Sequence, residues 1–245
     1  MSGQIEGKNS VLEALKAGRP IDKILISTNI ARHSTVAEIM YLSKQKGIPV
    51  IHTEKAKLDR MSETGSHQGI IAVALEKQYV EVEDLLESAK KKGEEPFIIL
   101  LDGIEDPHNL GAVIRTAEAA GAHGIVIPKR RSAGLSATVS KTSAGAIEHL
   151  PVARVANISD VILKLKKAKV WVVGIENSAE KSFTDFDYKL PVAIVIGGEG
   201  GGISRLVKEN CDELVSIPMK GKISSLNASV AAAVVMYEIL RQRSR

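Results

Sequence analysis

From residue 97 onward the chain repeats one pattern five times: a short apolar run rich in β-branched residues, then a segment with helical spacing. The runs cover 97–101, 124–127, 170–173, 192–196 and 214–217. Runs that are apolar at consecutive positions bury both faces of a strand. When helices separate them, the arrangement that satisfies both facts is a parallel sheet covered on each side. A final segment, 229–243, reads as one long helix. Its apolar residues Val230, Val234, Val235, Tyr237, Ile239 and Leu240 cover more than one stripe, as expected of a helix buried more than a surface helix, against a second subunit for instance.

The first third is a smaller α/β module. Strands are expected at 23–27, 48–52 and 69–75, with a helix over 36–46 that Gly47 ends. Between the module (1–76) and the sheet domain (97–245) lies a charged stretch, 77–96. Val82, Leu85, Leu86 and Ala89 give it a helical phase, and it reads as a solvated linker carrying one short helix.

Composition excludes more than it selects. With 33 Lys and Arg against 29 Asp and Glu, the net charge of +4 does not by itself point to nucleic acid. Aromatic residues make up 3% of the chain, too few for stacking platforms, so an RNA partner would be read through shape, phosphates and polar groups. The single cysteine, Cys211, rules out an intrachain disulfide, and the six histidines lack metal-ligand spacing; neither a metal site nor a metal cofactor is expected. Residues 1–5 show no basic segment leading into an apolar run, and no stretch approaches the roughly 18 apolar residues of a membrane span. A soluble, cytoplasmic protein without a membrane partner is expected.

Ligands of open parallel sheets bind beyond the carboxyl ends of the strands. Three segments lie there. In 102–115 a strand ends, Pro107 stops any earlier helix and a new helix begins near Asn109. Asn109 is a good N-cap. Arg115 borders an apolar face made by Leu110, Val113, Ile114 and Ala117; it is either a snorkelling surface residue or a bidentate phosphate ligand. In 196–204, five glycines in six positions around Glu199 let backbone approach a ligand. No Lys-Ser or Lys-Thr follows, so this is not a P-loop, and the internal carboxylate argues against a pyrophosphate. In 217–229, a strand ends at Pro218 and Ser225, Asn227 and Ser229 compete for one helix cap.

Together these segments resemble the three signature motifs of the SpoU-type RNA ribose methyltransferases. Asn109-Leu110-Gly111 with Arg115 matches the first, Gly197-Gly198-Glu199-Gly200 the second, and Ile217-Pro218-Met219 with Ser224-Ser225-Leu226-Asn227-Ala228-Ser229 the third. The first third resembles that family's ribosomal-protein-like substrate domain, with Gly7-Lys8-Asn9 opening it and His67-Gln68-Gly69 before its last strand. The two-domain form is similar to the members that methylate a guanosine ribose of bacterial large-subunit ribosomal RNA; a transfer RNA position is the second choice.

The resemblance implies an α/β catalytic domain closed by a deep trefoil knot, S-adenosylmethionine as cofactor, and a homodimer. It implies cofactor binding at Gly197, Gly198, Gly200, Ile217, Met219 and Leu226. Arg115 would orient the target phosphate and aid proton removal, Asn109 and Glu199 would organise the loop, and Ser225 and Asn227 would position ribose or cofactor. Lys8, Asn9, His67 and Gln68 would contact RNA. In the family the second glycine of the Gly197-Gly198 pair varies. Two other classes compete: an RNA-binding protein that kept the fold without catalysis, and a nucleotide-dependent oxidoreductase, which an early glycine fingerprint would have favoured.

Overall fold

The computed structural model describes residues 2–31, 33–198 and 200–244. It divides into two compact units: one comprises the chain up to Gln78 together with Gly134–His149, the other Tyr79–Ala133 with Leu150–Arg245.

The first unit contains β1 (Ser2–Glu6), α1 (Lys8–Lys16), β2 (Ile21–Ser27), α2 (Ser34–Gln45), β3 (Val50–Thr53), α3 (Lys55–Met61) and β4 (Ile70–Leu75). Its sheet has the order β1-β4-β2-β3; β4 pairs antiparallel with both neighbours, and β2 and β3 run parallel. The core joins Ile5, Val11, Leu15, Ile24, Ile26, Ile39, Ile70 and Ala72. The sequence reading found three of these strands and missed β1, whose Ser-Gly-Gln-Ile-Glu carries little strand signal and becomes a strand because β4 offers it an edge.

The segment 134–149 was not expected in this unit. It contains α6 (Ala137–Thr142), which packs on β1 and α1. The Glu148 carboxylate, its side chain 1% exposed, meets Arg19 Nη1 at 2.5 Å and Lys77 Nζ at 3.7 Å. A buried carboxylate needs such partners to remain charged.

The second unit contains α4 (Val82–Lys92), β5 (Phe97–Asp102), α5 (Pro107–Ala119), β6 (Gly124–Pro128), β7 (Val152–Val155), α7 (Ile158–Lys167), β8 (Trp171–Ile175), β9 (Val192–Gly197), α8 (Arg205–Asn210), β10 (Glu213–Val215) and α9 (Ala228–Arg243). Its six strands are all parallel, in the order β10-β8-β9-β5-β6-β7. One face packs Ile98, Leu100, Val172 and Val195 under Leu85 of α4, Ile162 and Leu165 of α7, and Val207 of α8. The other face is covered by α5 and α9, which also pack on each other. The stretch expected as a solvated linker is therefore half core: Val82, Leu85 and Ala89 of α4 are buried, and only its charged face, with Lys90, Lys91 and Lys92 in the last turn, meets water. Its helical phase was the better guide than its charge. Among the described residues no helix is long and apolar enough to cross a membrane.

Candidate active site

From β5 the chain moves outward through β6 and β7, then crosses to the other side for β8 and β9. The gap between β5 and β9 is thus a topological switch point, where parallel sheets leave a ligand crevice. Asp102 and Gly197 lie in register at its floor. Gly198 N donates to Asp102 O at 2.9 Å, and Ser204 N donates to Asp102 Oδ2 at 2.7 Å, so this acid holds the glycine turn in place.

The turn leaves no room for side chains at its base. A Cβ on Gly197 would fall 2.1 Å from the Gly202 carbonyl carbon, and one on Gly198 would fall 2.2 Å from Gly103 O. The family's variability at the second position therefore does not extend to this chain, where only glycine fits against the Gly103 carbonyl.

A cavity of about 520 Å³ opens beside the turn, within the range of small-molecule sites. Gly197, Gly198, Gly200, Ile217, Met219 and Leu226, the six expected cofactor residues, all line it, as do Ser225 and Asn227. A second cavity of about 550 Å³ is lined by Asp102, Gly103, Asn109 and Arg131 and shares Gly198 and Gly200–Gly202 with the first. The glycine turn is their common wall.

Asn109 is not the cap of α5. Asp106 caps it, accepting from His108 N at 3.0 Å, and Pro107 opens the helix instead of blocking it, since a first-turn proline lacks only an N–H that would have no helical partner. Asn109 is buried in the first turn, and its Oδ1 accepts from Asn227 Nδ2 at 3.0 Å. Asn227 is the residue that wins the capping competition at α9, its Oδ1 accepting from Ser229 N and Val230 N. Arg115 is exposed on α5 and lines neither cavity. The expectation for Glu199 falls outside the described residues.

In the first unit, Lys8, His67 and Gln68 line a cavity of about 440 Å³, together with Lys55; Asn9 is exposed. Gln68 Oε1 accepts from Lys8 N at 3.1 Å, completing the start of α1. His67 is buried, and both ring nitrogens have partners: Nε2 lies 2.8 Å from Asp59 Oδ1, and Nδ1 accepts from Gly69 N at 3.0 Å. It shapes the 67–69 loop and has no ring nitrogen left to offer.

Several residues of the first cavity were not singled out by the sequence, two of them polar. Glu176 and Asn177 follow the carboxyl end of β8, and Asn177 Nδ2 donates to Ser224 O at 2.8 Å. The strand-end rule that singled out the turn after β9 would have flagged them had it been applied to β8. Burial pushes the Cys211 thiol up to about 12.

The model of the SpoU rRNA methylase family matches residues 96–237, and that of the RNA 2′-O ribose methyltransferase substrate-binding domain matches residues 4–80. The chain belongs to the SpoU family. A Bacillus subtilis protein, YacO, named for the TrmH family of tRNA/rRNA methyltransferases, is 49% identical over 97% of this chain and 95% of its own length. The crystal structure of the SpoU methyltransferase AviRb from Streptomyces viridochromogenes with the cofactor AdoMet superposes with a TM-score of 0.81 at 26% identity, covering 99% of this chain and 91% of that one. An RNA 2′-O ribose methyltransferase structure gives 0.80 at 28% identity, over 100% of this chain and 90% of that one.

This SpoU protein is accordingly an S-adenosylmethionine-dependent RNA methyltransferase with the family's knotted α/β fold. Its first cavity fits that cofactor. Apolar walls at Ile175, Ile196, Ile217 and Leu226 suit a purine, the glycine turn offers backbone groups, and no described lining residue carries a positive charge that would repel the sulfonium.

Proposed function

We propose that this SpoU protein methylates a ribose 2′-hydroxyl, of a guanosine in large-subunit ribosomal RNA, in the cytoplasm and as a homodimer. The observation that carries the reading is the pair of cavities sharing one glycine wall, with the Asn109–Asn227 hydrogen bond joining the elements on either side. The cavity at Ile217 and Leu226 takes the cofactor, and the one at Asp102–Asn109 takes the acceptor nucleotide. Support for a ribose hydroxyl comes from the substrate-binding model over residues 4–80.

When bound, S-adenosylmethionine supplies a methyl group already activated by the sulfonium charge. The protein's part is alignment and removal of one proton from the hydroxyl. Asn109 and Asn227 hold the two helix starts at a fixed separation, and Ser225 lies on the cofactor wall. Arg115, exposed on α5, grips a phosphate beside the target and so orients the hydroxyl. Lys8, Lys55 and Gln68 in the first unit bind RNA backbone, with His67 bracing their loop. On α9, Val230, Val234 and Tyr237 are 47%, 37% and 52% exposed at helical spacing, an apolar stripe suited to a second copy.

Transfer of labelled methyl to ribosomal and transfer RNA, followed by alkaline hydrolysis, tests this. A methylated 2′-oxygen blocks cleavage at its own phosphodiester. Label in an alkali-resistant dinucleotide from large-subunit RNA is expected; label in transfer RNA, or on a base, defeats the assignment. Sedimentation of the protein tests the dimer.

A further inference from the structure

Among the described residues that line the cofactor cavity, Glu176 is the one with an ionisable side chain. It lies at the carboxyl end of β8, and its backbone is held on both sides: Glu176 N donates to Val215 O at 2.9 Å, and Ala179 N donates to Glu176 O at 3.1 Å. Its side chain is only 16% exposed and is ion-paired through Oε2 with Lys208 of α8. Gly202 adopts φ +62° above it, and a Cβ there would lie 3.6 Å from Glu176 Oε2, so the glycine turn closes over the carboxylate. A carboxylate kept this far from water needs more than one partly exposed lysine to repay its desolvation. A ligand able to donate hydrogen bonds would supply the rest.

S-adenosylmethionine has three features that attract a carboxylate: the sulfonium, the α-ammonium of its methionine part and the ribose diol. The sheet order sets the sulfonium apart from Glu176, and a ligand that lacks one ribose hydroxyl but keeps the ammonium sets the diol apart from the ammonium. The transferring methyl must face the acceptor cavity, whose wall is built from the ends of β5 and α5. Glu176 follows β8, and β9 lies between β8 and β5. The acid therefore serves the cofactor at a point removed from the transfer. A vicinal diol matches a carboxylate's two oxygens with two O–H donors, and hydrogen bonds to a charged acceptor are about twice as strong as neutral ones. Nucleotide-binding sheets of other topology use an acid at a strand's carboxyl end for the ribose hydroxyl in the same way.

We infer that Glu176 takes the ribose hydroxyls of S-adenosylmethionine, with Lys208 holding the carboxylate in place. This rests on the cofactor occupying the cavity at Ile217 and Leu226.

Calorimetric titration of the full chain decides it, with folding checked by thermal melting. The ligands are S-adenosylmethionine, S-adenosylhomocysteine, which keeps the ribose and the α-ammonium but lacks the sulfonium charge, and 2′-deoxy-S-adenosylhomocysteine, which keeps the α-ammonium but lacks one ribose hydroxyl. Glu176→Gln is expected to weaken the first two by the same factor, about tenfold or more. The wild-type protein is expected to bind the deoxy analogue about tenfold more weakly than its parent, a preference that disappears in Glu176→Gln. Wild-type affinity in the variant, a loss confined to the sulfonium ligand, or no wild-type discrimination against the deoxy analogue would each overturn the assignment. Leu226→Trp, which fills the cavity, separates the two layers. If it abolishes binding while Glu176→Gln does not, only the role of Glu176 fails; if it binds normally, the cofactor lies elsewhere and the whole reading fails.

Discussion

Asn227 Nδ2 donates to Asn109 Oδ1 at 3.0 Å across 118 residues of sequence, while the Asn227 Oδ1 caps α9 through Ser229 N and Val230 N. One side chain thus fixes where α9 begins and how far that start lies from the first turn of α5. The two helices pack on each other over the same face of the sheet. On the proposed assignment of the two cavities, their relative placement sets the alignment the transfer needs.

Asn227→Ala should remove both functions of the side chain. Loss of the cap costs about 1 kcal/mol, a fall in Tm of roughly 2–4 °C for a chain this long. Asn227→Ser keeps a capping oxygen but not the reach to Asn109. If the link matters for alignment, Ser should restore Tm and leave methyl transfer slow. Recovery of both by Ser would show that the cap alone is required.

Gly198→Ala tests the crossing at the switch point. Its Cβ would sit 2.2 Å from Gly103 O, a backbone atom that cannot rotate away. Either β5 or the turn must shift, and overpacking of this kind typically costs 1–3 kcal/mol. Cofactor affinity should fall along with Tm. A Gly200→Ala control has open space around the added methyl and should leave Tm near normal. Equal behaviour of the two variants would contradict the close approach.

Much of the second unit is legible from residues because its strands are apolar on both faces; 97–101 and 192–196 could be little else. The short edge strand β7, Val152–Val155, was not legible, since four residues after Pro151 carry no periodicity long enough to read. The placement of 134–149 was hidden for a different reason. The Glu148–Arg19 pair spans 129 residues, and no local pattern announces a contact at that range. At the site, Asn109 and Asn227 both looked like caps, and only the three-dimensional fold decides which one caps and which one accepts from the other. The knot could not be read from patterning at all, because general rules of chain topology argue against knots; the resemblance alone carried it.

The first unit offers a pH test. Glu6 is fully buried at the end of β1 and accepts from Ser62 Oγ at 2.6 Å, Glu63 N at 2.6 Å, and Thr64 N at 3.3 Å. Burial pushes its carboxyl up, but these hydrogen bonds to the charged form outweigh it and the net shift is downward. The folded value therefore lies below the unfolded one, about 4.3. Its stabilisation is present above the unfolded value and is lost as pH falls through the folded one. Glu6→Gln should destabilise the protein by about 1–3 kcal/mol at pH 7, and by progressively less as the pH drops below about 4. Denaturant unfolding at several pH values measures this. A penalty independent of pH would mean that shape, and not charge, holds the 62–64 loop.

Arg115 is the sharpest case, because its position lends itself to two opposite expectations. It is exposed on α5, outside both cavity walls, and its neighbours Val113, Ile114 and Ala117 are buried. A side chain whose stem only covers an apolar edge could be removed at little cost, leaving stability and rate within a fewfold of normal. A guanidinium that holds the phosphate beside the reacting hydroxyl would behave differently. Arg115→Ala should then leave Tm and the calorimetric affinity for S-adenosylmethionine unchanged, since the cofactor cavity does not include it. Single-turnover methylation of RNA should fall by on the order of a hundredfold or more. Arg115→Lys should recover little of it, because a point charge does not reproduce bidentate phosphate geometry. A variant that folds, binds cofactor and methylates RNA at nearly the normal rate would remove Arg115 from the mechanism.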